Sequence, residues 1–241
     1  MKTNCINLLM IGNSFAYNTV DHLIELAKIY GVKLEVGVLF IGGCSIDTHY
    51  ENFINGNKNY EFRYITNEKD EVTFNYSIQE ALDFKKWENI SFQQASHYSG
   101  VKDSYKNLKE LMRLIRENSD ANFIWLNTWA YSKVSAHPLY SLYNFSQEYM
   151  HSKIIETLEE VVKKECGFSI IIPIGIVIHK LRELTNLDNY NVDDGYHLNS
   201  LGCFVAGLCL IKTMFNIDLN SDKLPETQLV KTIVETVNKV S

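Results

Sequence analysis

Two stretches far apart in the chain carry residues able to do chemistry together: Gly12-Asn13-Ser14 near one end and Asp193-Asp194-Gly195-Tyr196-His197 near the other. A serine hydroxyl is a poor nucleophile until an imidazole takes its proton, and that imidazole needs a carboxylate to fix its tautomer and balance its charge. Asp194 and His197, three residues apart across a glycine turn, supply the carboxylate and the imidazole, with Ser14 as nucleophile. Asp193 reads as a solvated neighbour. The predicted chemistry is acyl transfer from an ester through a covalent serine intermediate. Such a reaction also needs hydrogen-bond donors aimed at the developing oxyanion. The backbone N–H groups of Ser14 and Gly43 and the side-chain amide of Gln94 are the candidates, Gly43 because a backbone without Cβ lets substrate approach closely. Gln93 and Ser96 compete with Gln94, since adjacent strand residues point to opposite faces and the phase is open.

These residues need a scaffold that brings them to one place. The apolar run from Cys5 stops abruptly at Gly12, which reads as a buried strand feeding a tight turn. Helical periodicity over 20–30 (Val20, Leu23, Ile24, Ala27, Tyr30) and a second apolar run, Leu34 to Ile41, complete a βαβ unit closing on Gly42 and Gly43. Residues 59–77 alternate on two arms and predict a β-hairpin, a flap beside the main sheet. Further strands are expected at Ile90–Gln94, Phe123–Leu126 and Ser169–Ile172, the last stopped by Pro173. Helices are expected over 78–87, 105–118, about 143–165, 200–215 and 224–240, with loops over 131–142 and 184–199. Four of the five strand ends run into glycine or polar residues: Gly12-Asn13-Ser14, Gly42-Gly43-Cys44-Ser45, Gln93-Gln94-Ala95-Ser96 and Asn127-Thr128-Trp129. In a parallel sheet all of these leave the same edge, where ligands of α/β proteins bind. No repeat or linker divides residues 1–241, so one domain is expected.

In this order the motifs resemble those of the SGNH (GDSL-type) hydrolases, over roughly residues 5 to 215. The family's Gly-Asp-Ser block is matched by Gly12-Asn13-Ser14, the glycine of its second block by Gly43, and its Asp-x-x-His block by Asp194 to His197. Its third block, Gly-x-Asn-Asp, is replaced by Gln93-Gln94-Ala95-Ser96, as in carbohydrate-acetylesterase branches whose third block contains glutamine. With Ile-Gly-Gly-Cys-Ser and Asn-Thr-Trp-Ala-Tyr, the pattern looks like a poorly characterised bacterial branch. The resemblance implies a three-layer αβα sandwich on a five-stranded parallel sheet in flavodoxin-like order. It further implies a serine esterase, without cofactor, acting on small acyl esters such as O-acetyl groups of carbohydrates. The rival expectation is a non-catalytic carbohydrate-binding or degenerate module, motivated by the altered third block.

Composition narrows the partners. The chain of 241 residues has a net charge of -6 and scattered Lys and Arg, which argues against a nucleic-acid footprint. No apolar run is long enough to span a bilayer. The residues ahead of the first strand leave no room for a leader, so the sequence as it stands reads as cytoplasmic, or as secreted or periplasmic if a leader has been removed. Five widely spaced cysteines without a C-x-x-C argue against disulfides and zinc; Cys44, in a glycine-rich loop, reads as a buried thiol. Trp129, Tyr131, His137 and Tyr17 are candidates to line a substrate pocket, with core packing as the equal alternative. His22, His49, His151 and His179 lack metal-ligand spacing and read as structural.

Overall fold

The computed structural model describes residues 5–240. The reading of the first four residues as leaving no room for a leader therefore lies outside the described residues.

Strand β1 (Cys5–Gly12) is buried on both faces from Leu8 onward and lies in the middle of the sheet, as the apolar run Leu8–Ile11 demands. Around it the strands β2 (Lys33–Phe40), β5 (Asn89–Phe92), β6 (Asn122–Leu126) and β7 (Ile170–Ile172) run parallel. Two more strands, β3 (Tyr60–Thr66) and β4 (Asp70–Tyr76), extend the sheet antiparallel beyond β2, giving the order β4-β3-β2-β1-β5-β6-β7. The expected five parallel strands are thus one part of a seven-stranded mixed sheet. The hairpin is not a separate flap: β3 pairs with β2 from Glu35–Thr66 to Phe40–Glu61. Its alternation predicts a hairpin correctly but carries no information about which open edge takes it up, because backbone pairing is blind to side chains.

Side chains of β1 alternate between two cores. Ile6, Leu8 and Met10 face one side, packed with helices α1 (Ser14–Val20), α2 (Leu23–Tyr30), α7 (Ile174–Thr185), α8 (Ser200–Phe215) and α9 (Gln228–Val240). Leu9 and Ile11 face the other, with α3 (Ile46–Ile54), α4 (Ile78–Phe84) and α5 (Leu108–Arg116). Helix α6 (Gln147–Thr157) continues in π-helical turns over Leu158–Glu165, and this continuation packs on the second side. The result is helices on both faces of one sheet.

Three elements differ from expectation. The first helix begins at Ser14 rather than near Val20, because the Asn13 side chain caps it by accepting from Phe15 N–H. Helix α3 lies in a stretch without assignment, capped by Ser45 through Thr48 N–H. Helix α7 follows Pro173 directly; the surrounding run, Ile170 to Ile178, is too uniformly apolar for a strand end and a helix start to be told apart by periodicity. Among the described residues no helix is long and apolar enough to cross a membrane, and no group of three or more His, Cys, Asp or Glu is disposed to hold a metal.

Candidate active site

Ser14 is the first residue of α1, at the carboxyl end of the central strand, where β1 stops and the chain must turn. The turn is built by Asn13, which is buried and uses its whole side chain. Its Oδ1 accepts from Phe15 N–H (3.1 Å) and from Gln93 Nε2 (2.5 Å), and its Nδ2 donates to the carbonyls of Cys44 (3.1 Å) and Gln94 (3.4 Å). One amide thereby ties together the ends of β1, β2 and β5. Gly12 makes room for this clamp, since a Cβ there would meet Gln93 Cδ at 3.0 Å.

His197 arrives from the loop between α7 and α8. Its Nε2 is 2.7 Å from Ser14 Oγ and its Nδ1 is 2.7 Å from Asp194 Oδ2. Asp194 Oδ1 accepts from the backbone N–H groups of Tyr196 (2.8 Å) and His197 (2.9 Å). Burial alone would raise the Asp194 pKa, but these two N–H bonds and the imidazole outweigh it and hold the carboxyl below its usual range. A carboxylate that stays ionised fixes the tautomer with hydrogen on Nδ1, leaving Nε2 free to accept from the Ser14 hydroxyl. Asp193 is exposed. Gly195 sits at φ +75° in this turn, and a Cβ there would approach Ser135 Cα to 2.6 Å, so the loop closes only with glycine.

The histidine loop is held by residues that spacing alone does not reveal. Asn18, one turn after Ser14, accepts from Leu198 N–H at 3.0 Å and so sets the loop against the helix that carries Ser14. Arg182, buried in α7, donates to Ala130 O (3.0 Å) and to Asn191 Oδ1 (2.7 Å). Trp129 is completely buried, stacks on Phe15 at 3.9 Å and donates from Nε1 to Tyr196 O (2.8 Å). It is a floor under the loop, not a pocket wall.

The oxyanion candidates separate. In the Ile41–Cys44 turn Gly43 is exposed with φ +63°, and neither its N–H nor that of Ser14 bonds to protein among the described residues. Gln94 does not offer its amide. Its Oε1 accepts from Ile46 N–H (3.0 Å) and Ala95 N–H (2.8 Å), and its Nε2 donates to Ser104 O (2.8 Å) and Oγ (3.0 Å). This glutamine is consumed in fixing its own loop. Gln93 spends its Nε2 on Asn13 Oδ1, and Ser96 Oγ pairs with Tyr131 OH at 2.8 Å.

Of the pocket candidates, Tyr131 is buried, and His137 is half-buried beside Tyr196 (ring centroids 5.0 Å) and His97 (5.5 Å). Tyr196 in turn lies 4.4 Å from the His197 ring. Burial lowers the pKa of both His97 and His137, which keeps this wall neutral near pH 7. Sequence reasoning passed over His97, although it directly follows the polar string at the end of β5. Tyr17 faces the other way, toward the hairpin. Its hydroxyl donates to Glu61, its ring stacks on Phe40 at 4.5 Å, and Arg63 lies over it at 5.1 Å. Cys44 is buried and its thiol is pushed up to about 12 by desolvation, which leaves it inert.

The chain resembles several known proteins. The family model described as "Domain of unknown function (DUF4886)" matches residues 7–239. A DUF4886 family protein from Bacteroides uniformis superposes with a TM-score of 0.90 at 30% identity, covering 98% of this chain and 94% of that one. A candidate SGNH hydrolase from Slackia heliotrinireducens gives a TM-score of 0.56 at 19% identity, covering 87% of this chain and 99% of that one. A variant of an acetyl xylan esterase from Geobacillus stearothermophilus gives 0.54 at 12% identity, covering 92% and 100%. No curated protein matches in sequence. At these identities the last two structures share the fold alone. Coverage from end to end by the family model and by the Bacteroides protein places the chain in a family: it belongs to DUF4886.

Proposed function

We propose that the protein is a serine esterase that hydrolyses small acyl esters, with O-acetyl groups on carbohydrates as the favoured class. The observation that carries this reading is the unbroken chain of hydrogen bonds Asp194–His197–Ser14, 2.7 Å at each step. In the reaction Ser14 Oγ attacks the ester carbonyl while its proton passes to His197 Nε2, and Asp194 balances the imidazolium. The backbone N–H groups of Ser14 and Gly43 receive the oxyanion. His197 then protonates the leaving alcohol, and water releases the acyl group by the reverse sequence. A side-chain third donor is not part of this reading, since Gln94 is fully engaged. The neutral wall of Tyr196, His137 and His97 beside His197 suits an uncharged polyhydroxy leaving group, by stacking and by donors left open to solvent. The esterase named among the structural neighbours agrees with this class.

Ser14→Ala tests the reading. Turnover of p-nitrophenyl acetate is expected to fall by about a thousandfold or more, with an unchanged fold by circular dichroism. A mutant as active as the wild type would refute the assignment. A wild type that binds acetylated sugars without turning them over would favour a degenerate binding module instead, the reading that the committed Gln94 amide supports.

A further inference from the structure

A second serine, outside the Ser14 site, repeats its local construction. Ser200 is the first residue of α8 and follows Asn199, whose Oδ1 caps the helix by accepting from Gly202 N–H at 3.0 Å. Ser14 likewise opens α1 behind the capping Asn13. Because Asn199 does the capping, the Ser200 hydroxyl is free for another partner, and it lies 2.9 Å from Nε2 of His22. Nδ1 of the same ring is 3.1 Å from Oε2 of Glu25. Glu25 is three residues from His22 in sequence, the spacing that also separates Asp194 from His197. Asp21 touches the edge of the constellation, 4.0 Å from His22 Nε2. The N–H groups of Ser200 and Leu201, at the open start of α8, have no protein partner among the described residues.

This constellation borders a cleft of about 570 Å³, lined by His22, Glu25 and Ser200 and otherwise mainly by Leu26, Ile29, Leu201, Phe204, Leu224 and Val230. That volume is ordinary for a small-molecule site, and apolar walls with a few polar groups at one end are its usual composition. Nothing in the chemistry at Ser14 uses it.

We infer that Ser200, His22 and Glu25 form a second acyl-accepting site, for esters whose aliphatic acyl chain occupies this cleft. Ser200 Oγ bonds to the acyl carbon as its proton passes to His22 Nε2. The ester C–O bond then breaks, and the departing alkoxide takes that proton as the free alcohol. Water, giving its proton to the same nitrogen, cleaves the acyl-serine to the carboxylic acid and restores the Ser200 hydroxyl. Glu25 is 76% exposed and has none of the backbone N–H bonds that hold Asp194, so the site is slower than Ser14.

The test uses the full chain carrying Ser14→Ala, treated with a fluorophosphonate probe and, separately, with p-nitrophenyl octanoate. The expected result is one adduct mapped to Ser200, together with octanoate turnover that disappears in Ser14→Ala/Ser200→Ala. In Ser14→Ala/His22→Gln or Ser14→Ala/Glu25→Gln, adduct formation is expected to slow, by about a hundredfold for the histidine variant. No adduct at Ser200, or an adduct formed equally fast without His22, overturns the inference. These outcomes are independent of the Ser14 assignment, which is tested separately by labelling of the wild type at Ser14 and by the loss of p-nitrophenyl acetate turnover in Ser14→Ala.

Discussion

Asn13 is the residue on which the strand ends depend. A serine can be delivered to a strand end by any sharp turn, but Asn13 also donates to Cys44 O and Gln94 O and accepts from Gln93, all within a buried volume. Truncation leaves two carbonyls and an amide without partners, and each buried polar group left unsatisfied costs about 1–3 kcal/mol. Asn13→Ala is therefore expected to lower stability in urea by about 3 kcal/mol and to reduce kcat/KM at least tenfold, because the Gly43 turn is held next to Ser14 through Cys44. Full activity with full stability would show that the clamp is dispensable. Gln94 gives the converse lesson. Its residue type suits an oxyanion donor, and its environment, with Ile46, Ala95 and Ser104 around it, takes every polar atom it has.

At the scale of elements, the site depends on how closely helices abut strand ends. Gly175, in the first turn of α7, donates its N–H to Asn127 O at 3.0 Å, and a Cβ there would fall 2.0 Å from Thr128 O and 2.7 Å from Thr128 C. Both are backbone atoms of the segment that leads into Trp129, so neither can swing aside. Gly175→Ala is expected to destabilise the protein by more than about 2 kcal/mol, read as a lower urea midpoint. It is also expected to lower the proposed esterase activity, since Trp129 supports the His197 loop through Tyr196 O. A wild-type midpoint would mean that α7 can slide away from β6. The hairpin shows a different dependence: β4 is largely exposed and ends the sheet, with Arg63 and Asp70 pairing through two bonds of 2.8 and 2.7 Å across the two arms. Charge of this kind on an edge discourages pairing with a further chain.

For the molecule as a whole, buried histidines couple stability to pH. His49 sits among α3, Tyr60 and Cys44, and His151 stacks on His179 at 3.6 Å between α6 and α7. Desolvation drives both pKa values down to about 3, from an ordinary value of 6.5. The folded protein then binds fewer protons than the unfolded chain throughout that interval. The stabilisation is present above about pH 6.5 and is lost as pH falls from 6.5 toward 3. The urea midpoint is expected to drop between pH 7 and pH 5, before carboxylates such as Asp194 and Asp70 begin to protonate. His151→Gln is expected to flatten that slope. An identical slope in the variant would place the dependence elsewhere.

The sequence by itself determined the parts whose signal is local. Gly12-Asn13-Ser14 after an apolar run, Asp194-Gly195-Tyr196-His197 in a polar loop, the alternation of 59–77 and the apolar stripe of 224–240 are each legible because backbone period and turn chemistry act within a few residues. Only the tertiary structure decided that β3 and β4 extend the sheet beyond β2, that α7 starts at once behind Pro173, and that Gln94 faces Ser104 while His97 joins His137 and Tyr196. The physical reason is common to these cases. An open strand edge, a uniformly apolar run and a side-chain amide each have several partners of nearly equal energy, and the choice among them falls to contacts between residues tens of positions apart.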